Sequence, residues 1–347
     1  MTTPLTRARL AEILEALRGL KIGVLGDFTL DAYWYADMEQ SQLSRETPLY
    51  PRPVVRETYS PGGASNVAWN LAALGVGQVW AISVLGDDWR GALLRQLLEK
   101  EGVRTGALLT QPDRITPFYG KVVLTATGRS RQEDARLDFI NTVPLSADTE
   151  AALLAQVAAL TGQLDALAVA DYLLQGVATP AVSSGLRSLS AARPGLPVIV
   201  DSRERAAEFP DWILKPNEIE AARLFFPERE PAAVAFDELC AAALLQHQRS
   251  GQPVFITRGE QGCLVCAGGE CQAIPGVRVS PPIDTVGAGD AFLASLSAAL
   301  AVGASPVEAA SLANLAAAVT VTQIGVTGTA SPAAIAAMYE RWAAAFG

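Results

Sequence analysis

The chain has 347 residues, 50% hydrophobic and 18% charged, a composition that supports a sizeable core and excludes an intrinsically disordered protein. Its net charge of −9, with pI ≈ 4.8, excludes broad nucleic-acid binding, which needs a basic stripe, but permits a local positive site for a small anion. With 1 histidine and 4 cysteines, there is little material for a His-based hydrolase or a closed zinc centre.

In chain order, residues 1–19 place Leu10, Ile13, Leu14 and Leu17 between charges, which predicts an amphipathic helix rather than an apolar leader. Residues 21–25 read as a buried parallel strand closed by Gly26-Asp27. The aromatic, alternating and proline-broken segments at about 28–60 and 112–140 predict short strands, among them 118–125 and 136–140, forming a small inserted β lid. A helix is expected over 63–75, a strand over 79–84 and a helix over 89–101. Further on, helices at 148–160, 180–191, 218–225 and 236–248 alternate with strands at 166–170, 198–201, 212–215 and 254–257. That rhythm predicts an α/β fold, a mostly parallel central sheet sandwiched between helices. The uncharged stretch 309–338 is broken by Asn314, Gln323, Gly325, Gly328 and Pro332, so two buried helices joined by a polar turn are expected, not a membrane span. Cys263, Cys266 and Cys271 lie on two strands around an Ala-Gly-Gly-Glu turn. Small apolar thiols on a hairpin are expected there, with a zinc-dependent module as the rival.

The sharpest local feature is DTVGAGDAF, Asp284 to Phe292, which precedes a small-residue helix. Gly287 and Gly289 allow a tight turn and remove side chains from a ligand's path. The amides of Gly287, Ala288, Gly289 and Asp290 are expected to converge at the positive end of that helix. Such an anion hole suits a transferring phosphoryl group. Asp290, in the first helical turn, stands where a carboxylate accepts the proton of an incoming hydroxyl. The plainer reading is a capping aspartate after a glycine loop. No Lys-Ser/Thr follows the glycines, which excludes a P-loop, and Gly23-x-x-Gly26 is not a dinucleotide fingerprint.

DTVGAGDAF resembles the C-terminal signature of the ribokinase-like (PfkB) carbohydrate kinases, and four more segments resemble that family's in the same order. They are Gly26-Asp27 to Asp31, Pro61 to Ala68 (PGGASNVA), Lys215 to Glu220 (KPNEIE) and Thr257 to Gly262 (TRGEQG). The resemblance implies the ribokinase-like three-layer sandwich as a single domain over 1–347, and phosphate transfer from ATP to a sugar hydroxyl. It implies Asp290 as catalytic base, with Gly287, Ala288 and Gly289 as the anion hole. Asn217 and Glu220 would organise Mg2+ and the phosphates through water. Thr257, Gly259 and Gly262 would approach the nucleotide phosphates, and Asn314 the adenine. Asp31, Gly62, Gly63 and Asn66 would hold the sugar. Asp284, with the backbones of Val286 and Gly325, would hold a monovalent cation such as K+. Taken alone, each keeps a plainer role: Asn217 and Glu220 as a helix cap and exposed face, Asn66 as an ordinary helix residue, Asp31 as a turn cap, Asn314 as a partner for helix backbone. Asp201, at a strand end, is open between a phosphate-side acid and a strand terminator.

Within the family, Leu30 to Tyr35, Ser44 to Val55 and Arg131 to Phe139 resemble the heptose-7-phosphate kinases, which act on the anomeric hydroxyl of a phosphorylated heptose. Lys121, Arg131 and Arg136 are the candidates to meet a sugar phosphate, with solvated lid charges as the alternative. Glu133 stands where that subfamily has Gln, and Val123 where it has a basic residue. Other readings are a kinase for ribose, fructose or adenosine, and an inactive ligand-binding regulator on the same scaffold. A cytoplasmic protein is expected, with a sugar or sugar phosphate as partner and no nucleic acid or membrane. A homodimer through the exposed lid edges is expected, without the nucleotidyltransferase domain often fused to such kinases.

Overall fold

The computed structural model describes residues 4–126 and 131–344. Its strands, in chain order, are β1 (Lys21–Gly26), β2 (Phe28–Asp37), β3 (Val54–Gly63), β4 (Gln78–Gly86), β5 (Arg104–Gln111), β6 (Phe118–Thr125), β7 (Arg131–Glu133) and β8 (Leu137–Phe139). Then follow β9 (Ala166–Asp171), β10 (Val198–Ser202), β11 (Ile213–Leu214), β12 (Val254–Thr257), β13 (Cys263–Ala267) and β14 (Glu270–Ile274). The α-helices are α1 (Arg7–Ala16), α2 (Ala64–Ala73), α3 (Trp89–Lys100), α4 (Ala147–Thr161) and α5 (Pro180–Ala191). They continue with α6 (Glu218–Phe225), α7 (Phe236–Ser250), α8 (Ala288–Ala301), α9 (Pro306–Thr320) and α10 (Pro332–Ala343).

The main sheet has nine strands in the order β14-β13-β12-β11-β10-β9-β1-β4-β5. It is parallel from β5 to β12 and turns antiparallel at β13 and β14. Alternation along the central strands feeds two cores. Ala166, Ala168 and Ala170 of β9 face the core shared with α2, α8 and α9, whereas Leu167 and Val169 face the core shared with α4 and α5. Burial on both faces explains the unbroken apolar runs of these strands. Alanines on β9 suit close approach of α8, which buries Ala291, Ala294, Ser295 and Ala298. Local signals set the helix starts. Ser305 and Glu308 form a reciprocal capping box at α9, and Thr179 and Ser331 cap α5 and α10, each followed by proline.

The expected lid is a separate sheet, β3-β2-β6-β7 with β8 also paired to β6. Two strands were not foreseen. β5 opens on exposed Arg104, buried Thr105 and exposed Gly106, and β7 has only three residues, all exposed. Neither presents the apolar pattern by which strands are recognised. The strand expected at 212–215 contracts to Ile213–Leu214, and although Lys215 N still donates to Val200 O at 2.8 Å, Pro216 has no N–H to continue the ladder. The stretch 309–338 lies across α9 and α10 and the turn between them, and no described helix is long and apolar enough to cross a membrane. The cysteine hairpin forms as β13 and β14. Cys266 and Cys271, directly opposed across it, are disulfide-bonded, whereas free thiols were expected there. Among the described residues no group of three His, Cys, Asp or Glu stands together to hold a metal ion.

Candidate active site

The C-terminal ends of the parallel strands are where open α/β sheets collect ligands. Here the ends of β9, β10, β11 and β12 surround a cavity of about 250 Å³ that also faces the first turn of α8. Asp290, Gly287 and Gly289 line it from one side, and Asp201, Arg203, Lys215, Asn217, Glu220 and Thr257 from the other, with Tyr172 between. A hollow of about 230 Å³ at the opposite end of the strands, near Arg187 and Trp212, has no comparable set of facing charges.

Gly287 caps α8 with φ +79°, and a Cβ there would stand 2.7 Å from Asn66 Nδ2. Both the backbone angle and the neighbour therefore require glycine. The expected anion hole loses one member. Ala288 N–H turns back to Thr285 O at 3.3 Å, and Ala288 does not line the cavity. The amides of Gly287, Gly289 and Asp290 remain, at a helix start whose donors have no partner within the helix.

The Asp290 carboxylate is held at both oxygens. Asn66 Nδ2 donates to Oδ2 at 2.9 Å, and the Tyr172 hydroxyl donates to Oδ1 at 2.9 Å. Burial pushes Asp290 up to about 6, against the pull of those two hydrogen bonds, and the nearby Asp201 charge adds to the rise. The same Tyr172 hydroxyl lies 3.0 Å from Asp201 Oδ2, which pairs with Lys215 Nζ at 2.9 Å. Lys215 and Asp201 are 3% and 5% exposed. Burial favours the neutral amine of Lys215, but Asp201 and Glu220 outweigh it and hold its pKa above the ordinary lysine value. Glu220 is raised by burial and by Asp201. Asp201 is thus part of the site rather than a strand terminator.

Asn217 and Glu220 are a helix cap and cavity residues at once. Asn217 Oδ1 accepts from Glu220 N at 2.9 Å, and Glu220 Oε2 accepts from Asn217 N at 2.8 Å. Thr257 bridges Asn217 along β12 and lines the cavity. Gly259, Gly262 and Asn314 do not line it. A side chain on Gly262 would strike Ile274 O and Gly276 N, so this glycine serves a close backbone crossing. Asn314 donates to Ile274 O and Pro275 O, both at 3.3 Å. Asn66 gives its amide hydrogens to Asp290 and receives Asn70 Nδ2 at its own oxygen, 3.0 Å away, so it positions the carboxylate.

On the lid side, Asp31 Oδ2 accepts from Thr327 Oγ1 at 3.2 Å, while Oδ1 is buried with no hydrogen-bond partner among the described residues. Burial pushes this carboxyl up to about 6 despite Thr327 and Lys121. Gly62 leaves room for it, since a Cβ there would run into the Asp31 carboxylate. Gly63, at φ +52°, caps α2. The three lid cations are placed unequally. Lys121 donates to Tyr33 Oη at 3.1 Å, Arg136 makes a two-pronged pair with Asp138 at 2.6 Å, and Arg131 is exposed on β7. Val123 and Glu133 are direct cross-strand partners. Asp284 ties the glycine loop to the turn before α10. Its carboxylate accepts from Val286 N at 3.1 Å and from Gly325 N at 3.0 Å.

Sequence reasoning missed Tyr172 and Arg203. Each sits immediately beyond a parallel strand, and that position was the available signal.

The model of the pfkB family of carbohydrate kinases matches residues 29–334. The bifunctional protein HldE of Pelobacter propionicus is 35% identical over 339 residues, covering 95% of this chain and 65% of that protein. That of Caulobacter vibrioides is 35% identical over 330 residues, covering 91% and 63%. The chain therefore spans a little under two thirds of these relatives. Among solved structures, the tetrameric inhibited form of Escherichia coli phosphofructokinase-2 superposes with a TM-score of 0.73 at 24% identity, covering 92% of this chain and 98% of that one. Arabidopsis thaliana ribokinase, complexed with ribose and ATP, superposes at 0.67 and 19% identity, covering 92% and 98%. At those identities the structural likeness establishes the ribokinase-like fold.

Proposed function

Since the chain belongs to the pfkB family of carbohydrate kinases, we propose that it transfers the γ-phosphate of ATP to the anomeric hydroxyl of a heptose 7-phosphate, with Asp290 as the base. One observation carries the reading: the Asp290 carboxylate, clamped by Asn66 and Tyr172, faces the cavity beside the first-turn amides of α8. The acceptor's hydroxyl proton passes to Asp290 as its oxygen bonds to the γ-phosphorus and the bond to the leaving β–γ bridging oxygen breaks. The amides of Gly289 and Asp290 stabilise charge on the moving group, and Lys215 and Arg203 supply positive charge across the cavity.

Mg2+ would neutralise the phosphates and keep most of its waters. Glu220 fits a water-mediated contact through Oε1, because the capping box occupies Oε2, and the Asn217 oxygen keeps a second lone pair for a water beyond its bond from Glu220 N. Asp284, joined to Val286 and Gly325, is the place for a monovalent cation, since each carboxylate oxygen keeps a lone pair beyond its amide bond. A solved relative of the fold is Escherichia coli phosphofructokinase-2 in complex with potassium.

The heptose assignment is supported by the three lid segments and by the HldE relatives matched along 91–95% of this chain. Lys121 and Arg131 are then the cations for the 7-phosphate, and Asp31 Oδ1 the acceptor for a sugar hydroxyl. One observation favours an uncharged acceptor instead. Glu133 lies opposite Val123 in the lid, and Arg136 is neutralised by Asp138. The test is ADP release with Mg-ATP across heptose 7-phosphate, ribose, fructose, adenosine and no acceptor, with products identified by 31P NMR. The heptose phosphate should give the highest kcat/KM and a 1-phosphate. Preference for an unphosphorylated sugar would select the second reading, and a flat response across the panel would point to an inactive scaffold.

A further inference from the structure

Tyr172 stands between the two carboxylates of the cavity, 2.9 Å from Asp290 Oδ1 and 3.0 Å from Asp201 Oδ2. A phenol has one proton, so it donates to only one of them at a time. The other oxygen then faces a lone pair, a repulsive contact unless that carboxyl is itself protonated. The tyrosine is firmly held. Asp27 receives the amides of Tyr172, Leu173 and Val177, each at 2.8 Å. Arg114 donates to Gln175 O at 2.7 Å, and Arg205 pairs with Asp171 and donates to Leu173 O at 3.2 Å. The Arg203 guanidinium lies over the ring at 4.9 Å. Three buried or half-buried charges thus fix a short loop whose outcome is the placement of one hydroxyl.

We propose that Tyr172 is a positioning residue for phosphoryl transfer: its single proton holds Asp290 as the free carboxylate in the resting site, and swings to Asp201 when Asp290 takes the acceptor's proton. The proposal rests on the reading of Asp290 as base. Protons balance at each stage. The acceptor's hydroxyl proton moves to Asp290, the new carboxyl donates to the Tyr172 oxygen, and the Tyr172 hydrogen turns to Asp201, whose charge stays compensated by Lys215. On product release the proton on Asp290 returns to solvent, and the hydroxyl turns back.

The groups facing Asp290 come from four elements: Asn66 on α2, Tyr172 after β9, Asp201 on β10 and Lys215 after β11, with Glu220 on α6 beyond Lys215. Burial and the two carboxylates keep the Tyr172 phenol well above the ordinary tyrosine value, so it acts as a donor and not as a phenolate. Removing its hydroxyl takes a donor from Asp290 and must make that carboxylate harder to form.

The experiment compares the wild type with Tyr172→Phe and Asp290→Asn in two measurements. The first is a titration of the Asp290 carboxyl carbon by 13C NMR in the full chain, assigned by its loss in Asp290→Asn, which needs no substrate. The second is the pH profile of kcat/KM with the best acceptor. In Tyr172→Phe both midpoints should rise by roughly one pH unit, the size of a lost hydrogen bond to a charged group, while KM for ATP stays unchanged. A titration that does not move in the phenylalanine variant overturns the proposal, as does a rate that drops equally at every pH. Full turnover by Asp290→Asn would instead remove the base assignment, a distinct failure.

Discussion

The strand ends and the lid hold their charges in opposite ways. At the strand ends Lys215, Asp201, Tyr172 and Asp290 form one connected chain, its first two members buried and its last two half-buried at the cavity, in which no member lacks a partner. At the outer edge of the lid two ion pairs are largely exposed, Arg136 with Asp138 two residues away and Arg52 with Asp134. Buried, preorganised charge stabilises a transition state without reorganising, which suits the step common to every sugar. Exposed lid pairs hold each other by at most about 1 kcal/mol, so a ligand phosphate can exchange into them. On the proposed function, this division would leave chemistry to the sheet and selection to the lid.

The contrast can be broken at its strongest point first. Lys215→Ala leaves Asp201 buried without its cation, and loss of one partner from such a pair costs about 3–5 kcal/mol. Chemical denaturation should show a loss of that order, and a loss below about 1 kcal/mol would mean that the strand-end network is no tighter than the lid. Gly287→Ala strains φ +79° and crowds Asn66. Displacing Asn66 from Asp290 should lower kcat by about 100-fold, the scale on which small misplacements act, with the fold retained by circular dichroism.

A third test uses pH. As the proposed base, Asp290 must be deprotonated to accept a proton, and burial raises it to about 6. The profile of kcat/KM should therefore be level above about pH 7 and fall roughly tenfold per unit below the midpoint. An acidic limb near the ordinary aspartate value would show that the carboxylate is not held in a buried network. The smallest effect belongs to the lid. Arg136→Ala should change stability by less than about 0.5 kcal/mol, and its kinetic effect should fall on KM for the acceptor, with kcat unchanged. A larger loss in kcat would move Arg136 into the reacting site and blur the division.

The same division governs what the sequence made legible. Asp290 and its glycines are contiguous, so backbone freedom, helix start and carboxylate are read from one nine-residue run. The alternation of strands and helices likewise announced the parallel sheet and, with it, the edge at which ligands gather. Tyr172 and Arg203 stayed hidden, because their roles depend on β9, β10 and β11 being neighbours, a fact of topology and not of local pattern. The Ala288 amide was assigned to the anion hole, but the turn before α8 claims it for Thr285. In the lid, Arg136 precedes β8 and pairs with Asp138, two residues on within that strand. That spacing was present in the sequence, yet the arginine alone attracted attention. β7 has three exposed residues and no apolar signature, so the pairing of Val123 with Glu133 emerges only from the register.

The central claim is that one carboxylate drives the transfer. Single-turnover phosphoryl transfer by Asp290→Asn, measured beside its affinity for ATP, tests it most directly. Asparagine keeps the size of the side chain and cannot take the proton. The account predicts transfer slowed by about 10²–10⁴-fold with ATP affinity within twofold of the wild type. Transfer at close to the wild-type rate, with ATP bound equally well, would contradict it.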